Sequence, residues 1–84
     1  MMHIRDIFIM QFLQVVENQL RDNEPPETRQ TLARLVNEGY SEHQAKTLIS
    51  TCVGKELVEA IHFETIQDKN RYVNNLHNLP ELPL

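Results

Sequence analysis

Four histidines, one cysteine and several carboxylate pairs are where metal, nucleophilic or acid–base chemistry would be sought in these 84 residues. His3, His43, His62 and His77 would serve a metal best if two of them stood four apart on one helical face. No pair does, and none stands near Cys52 in a zinc-binding spacing. His62 and Glu59 are three apart and can be neighbours on a helix, so a metal site would have to be assembled through space or between subunits. The spacing predicts surface or boundary histidines and implies no metal or other cofactor. Cys52 would need a histidine or a helix N-terminus to lower its pKa before it could attack anything. It lies on an apolar stripe between Ile49 and Val53 and reads as a small core hydrophobe. Two glycines and no Gly-rich turn leave no oxyanion nest or phosphate loop. Glu56 with Glu59, and Glu38 with Glu42, read as solvated helix faces. No catalytic residue is assigned. The enzyme reading reduces to a metal- or thiol-dependent reaction at an inter-subunit site.

The elements that would position these groups are all helical. Ile9, Phe12, Leu13, Val16 and Leu20 recur at spacings of three and four, which predicts a first helix over 4–22 with one buried face. Ile4, Phe8 and Val15 add a second apolar stripe, which needs a cover of its own. Pro25 and Pro26 close that helix and open a second over 25–38, because proline suits the first turn, where its missing N–H is no loss. Gly39 then ends it as a left-handed cap. Ser41 and Gln44 form a capping box at the head of a third helix over 41–64, with Tyr40 placed to staple onto Ala45. Gly54 falls inside that helix and marks a close crossing, a kink or a break, with a continuous helix preferred. Asp68 is the expected N-cap of a last helix over 68–78. The tail from Leu79 has prolines at 80 and 83 and should be extended, its leucines available to a groove. The fold class is therefore all-α: one domain over 1–84, a compact bundle of about four helices with an extended, proline-containing C-terminal tail.

Composition narrows the partners. The net charge is −4, from 8 basic and 12 acidic residues, and no cationic run exists to displace counterions from nucleic acid. The apolar stretches at 7–10 and 12–16 are far shorter than a membrane-spanning helix, and they lack the basic start and cleavage site of a signal peptide. Neither nucleic acid nor membrane is expected as a partner. One unpaired thiol suits a reducing, cytoplasmic setting. A chain of this size buries only about 60–65% of its unfolded surface, so self-association is one way to gain stability.

From about Val15 to Pro83 the sequence resembles small, uncharacterised bacterial helical proteins. The pieces that carry this are Val16-Glu17-Asn18-Gln19, Pro25-Pro26-Glu27-Thr28, Leu32-Ala33-Arg34-Leu35, Gly39-Tyr40-Ser41 with Ala45, and Arg71-Tyr72 leading to Leu79-Pro80-Glu81-Leu82-Pro83. They are caps and core positions, so the resemblance implies a fold and no activity. Leu35, Gly39-Tyr40, Ala45, Leu48 and Ala60-Ile61 also resemble the three-helix pattern of ubiquitin-associated domains, with the spacing around Gly54 about one residue too long. That resemblance implies a hydrophobic binding patch including Gly39 and Tyr40.

The functional expectation is a non-catalytic helical interaction protein that self-associates through its first helix, as a homodimer or with another protein. Ile4, Phe8, Phe12, Val15 and Tyr40 are the candidate interface residues. The alternative is a small peptide- or protein-binding module that uses the Gly39-Tyr40 turn.

Overall fold

One proline-containing turn and one glycine cap set the first two junctions of a four-helix chain. The computed structural model describes residues 4–63 and 69–83, with side chains over 6–57 and 69–83. The helices are α1 (Ile4–Asp22), α2 (Pro26–Asn37), α3 (Glu42–Phe63) and α4 (Lys69–Asn78), and no strand occurs among the described residues. The expected all-α bundle of four helices is what forms. The proposed N-cap at Asp68 and the end of the third helix at Glu64 lie outside the described residues.

The junctions follow from local chemistry. Asn23 leaves α1 at φ 50°, and the Glu24 N–H returns to the Gln19 carbonyl at 3.1 Å. Asparagine is the side chain that tolerates this left-handed geometry best after glycine. Pro25 then sits at the N-cap of α2 with extended backbone. At the other end of α2, Gly39 has φ 111°. The Gly39 N–H donates to Val36 and the Tyr40 N–H to Leu35, each at 3.1 Å. That is the paired 5→2 and 6→1 bonding of a Schellman cap, which a side chain at Gly39 would strain. The capping box also forms as expected. The Gln44 N–H donates to Ser41 Oγ at 3.0 Å, and the Ser41 N–H donates to Gln44 Oε1 at 2.9 Å. Ser41→Ala should therefore destabilise the fold by about 1 kcal/mol and lower Tm by about 4–8 °C, measured by thermal unfolding followed by circular dichroism. An unchanged Tm would mean that the cap is replaced by water.

α3 is the central helix and packs against all three others. Val16, Leu35, Ala45, Ile49, Cys52, Val53, Tyr72, Leu76 and Leu79 form the core, with Phe12, Val15, Leu20, Leu32, Tyr40 and Leu48 packed against it. α1 and α3 run antiparallel: the Phe12 ring lies at Gly54, and Lys46 Nζ meets Glu17 at 2.7 Å. A Cβ at residue 54 would stand 2.8 Å from Phe12 Cε2. Gly54 is thus a close crossing inside an unbroken helix. Because α3 continues through residues 57 to 60, the ubiquitin-associated pattern loses its break between second and third helices.

Two arginines of α2 donate to carbonyls near the C-terminal ends of other helices. Arg29 Nη2 donates to the Leu20 carbonyl of α1, and Arg34 Nη2 donates to the Leu76 carbonyl of α4 at 3.1 Å. The tail departs from its expected extended form. The Leu79 N–H bonds back to Leu76 and the Glu81 N–H to Asn78, so the chain folds into a tight turn straight after α4. Of the described tail leucines, Leu79 enters the core and Leu82 is exposed. The turn forms because it satisfies carbonyls at the end of α4 while placing one leucine inside.

Candidate functional site

The largest departure from a closed bundle is the N-terminal half of α1. Ile7, Phe8, Ile9 and Met10 are 43%, 49%, 39% and 57% exposed. At 3.6 residues per turn, four successive residues point nearly all the way round the helix. The unburied apolar surface is therefore a collar, where the sequence suggested a stripe along one side. The reason is lengthwise: α1 packs on the core from Phe12 to Leu20, and its antiparallel pairing with α3 directs its first turns towards the part of α3 after Gly54. On that end of α3, Leu57 is a further large apolar side chain left 37% exposed. The rings of Phe8 and Phe12 stack at a centroid separation of 6.4 Å, so the collar is continuous with the core.

The structure sorts the five candidate interface residues. Phe8 belongs to the collar. Phe12, placed on the inward face by its spacing, packs on the protein's own core, Val15 of the second stripe packs there too, and Tyr40 is half-buried against the same core. Ile4 opens α1, and its side chain is outside the described residues. Ile9, placed on the inward face by periodicity, is instead in the collar. Spacing alone misses these two reassignments because the inward face follows the angle at which α1 crosses α3, which no periodicity contains. Leu57 is missed for the same reason, since Ala45, Ile49, Cys52 and Val53 of its stripe are buried.

A second apolar surface lies at the α2–α3 turn. Tyr40, His43, Gln44, Thr47 and Leu48 line an open groove of about 410 Å³. Its floor is Leu48 and the Tyr40 ring, and Ser41 and Gln44 are occupied in the capping box.

The polar groups serve the fold. Gln19 Oε1 accepts from Thr28 Oγ1 and from Tyr72 O–H, each at 2.7 Å, which ties α1, α2 and α4 together. Glu56 is the correction among the carboxylates. Expected on a solvated face, it is fully buried and accepts from Arg71 Nε at 2.7 Å. Arg71 reaches in from α4, a partner 15 residues away that helix-face reasoning does not see. Glu56 Oε1 has no hydrogen-bond partner among the described residues. Glu38 and Glu42 are exposed, as expected, and pair with Arg34 and Lys46. The Glu59 and His62 side chains and His3 lie outside the described residues; His43 and His77 are exposed.

Cys52 is buried among the core residues, and its thiol is pushed up to about 11, chiefly by burial and further by the charge of Glu56, against a lowering hydrogen bond with Thr51. A thiol held in that way is protonated at neutral pH and is a poor nucleophile. Tyr72 is raised in the same direction, again mainly by burial. Both groups are neutral in the fold and ionise more readily unfolded. Stability is then full below pH about 9 and falls as the pH rises towards 11. Urea unfolding across this range should show the loss, and Cys52→Val should flatten its slope. Equal slopes in both proteins would contradict the assignment.

Among the described residues no group of three or more His, Cys, Asp or Glu side chains is placed to hold a metal ion. None of the described helices is long and apolar enough to cross a membrane. No protein family, curated protein or solved structure matches the chain.

Proposed function

We propose that this protein is a non-catalytic helical interaction protein that self-associates through its first helix. The observation that carries the reading is the collar at Ile7 to Met10, four consecutive large apolar side chains each more than a third exposed. Exposed apolar surface of this extent, continuous with a core, is the usual mark of an interaction site. Light scattering coupled to size exclusion tests it. A dimer or larger species at high micromolar concentration is expected, and a monomer there would reject self-association.

A second reading follows from the groove at Tyr40, His43, Gln44, Thr47 and Leu48. Its apolar floor beside a rigid, doubly capped turn suits a short peptide or partner-protein segment. In that case Tyr40→Ala abolishes partner capture while helicity is nearly unchanged, and retained capture removes the reading.

A further inference from the structure

We infer that the interface is a two-helix face, built from the collar of α1 and Leu57 of α3, and that its occupant is a second copy of this chain packed as an isologous four-helix arrangement. This inference rests on the self-association reading and adds where the partner copy sits.

The geometry begins at the α1–α3 pair. Phe12 at Gly54 and Glu17 at Lys46 set the two helices antiparallel, so the turns of α1 before Phe12 run beside the turns of α3 after Gly54. Ile7, Phe8, Ile9, Met10 and Leu57 therefore belong to one end of one helix pair, and all five are exposed. Glycine at the crossing draws the two helices together there, and the collar leaves apolar surface on more than one side of this pair. A single docking helix covers one side of a collar. A second two-helix unit encloses it more fully, because each α1 then meets helices of the partner on more than one flank.

Size supports the same occupant. The exposed fractions leave roughly 400–500 Å² of apolar surface per copy, and a standard interface buries about 800 Å² per partner, rather more than half of it apolar. The patch thus matches the apolar core of one stable interface. Charge supports it as well. No charged residue occurs between Asp6 and Glu17, so residues 7–16 can face their own copies in a two-fold arrangement without opposing like charges.

The test compares molecular mass by light scattering and helicity by circular dichroism for the unmodified chain, Phe8→Glu, Leu57→Glu and Val36→Glu. Val36 is exposed on α2 and lines a groove with Glu42, at the opposite end of α3 from Leu57. A dimer is expected for the unmodified chain and for Val36→Glu, whereas Phe8→Glu and Leu57→Glu become monomers with native helicity. The uncharged variants Phe8→Ala and Leu57→Ala should weaken dimerisation at least tenfold and guard against a folding defect. If the Leu57 variants remain as dimeric as the unmodified chain while the Phe8 variants dissociate, the two-helix face is wrong and self-association through α1 stands. A monomeric unmodified chain overturns both.

Discussion

Arg71→Met is expected to destabilise the fold by about 3 kcal/mol, because it strands a carboxylate that has no route to water. Glu56 has 0% of its surface exposed, and the 2.7 Å bond from Arg71 Nε is made to Oε2 while Oε1 has no partner among the described residues. The arginine is itself part-exposed, which moderates the effect from the larger values found when both charges are deep. For a domain of this size total stability is about 4–12 kcal/mol, so the loss is a large fraction of it. The double variant Glu56→Met with Arg71→Met removes both charges and fills the space with apolar atoms, so it should recover most of the loss. Urea denaturation of the four proteins in the cycle measures this. A double variant no more stable than Arg71→Met would show that the arginine acts by packing and leave the stranded-charge account without support.

Gly54→Val is expected to cost about 2–3 kcal/mol, although it replaces a residue that is intrinsically poor in a helix. Glycine is about 1 kcal/mol worse than alanine in a helix interior, and valine recovers part of that. Against the gain stands the Phe12 ring, with Cε2 only 2.8 Å from where the new Cβ would be. Two further methyl groups must then push the ring, which stacks on Phe8, or spread α1 from α3. In a Phe12→Ala background the obstacle is gone, so Gly54→Val should become close to neutral or stabilising. Thermal unfolding of the four proteins decides it. A penalty that persists without the Phe12 ring would place the constraint in the helix backbone and contradict the close-crossing account.

The legible part of this protein was the part with local causes. Pro25 and Pro26, Gly39, and Ser41 with Gln44 act through bonds within a few residues, so type and order alone mark the first two junctions between helices. The same holds for the core stripe of α3, where Ala45, Ile49, Cys52 and Val53 recur at helical spacing and are all buried. Gly54 shows where this ends: kink, break and crossing have the same local signal, and the Phe12 ring that separates them lies 42 positions earlier in the chain.

The candidate interface divides along the same line. That α1 carries more apolar surface than one face needs was determined by the sequence, since Ile7 to Met10 and Phe12 to Val16 cannot all point one way on a helix. Which residues remain outside was decided only by the tertiary structure. The crossing of α1 on α3 took Phe12 and Val15 into the core and left Ile9 in the collar, and it brought Leu57 to the same end of the molecule. Glu56 was decided in the same manner by Arg71. The physical reason is common to all: helical periodicity assigns a side chain to an angle about its own axis, and burial depends on what the other helices put at that angle.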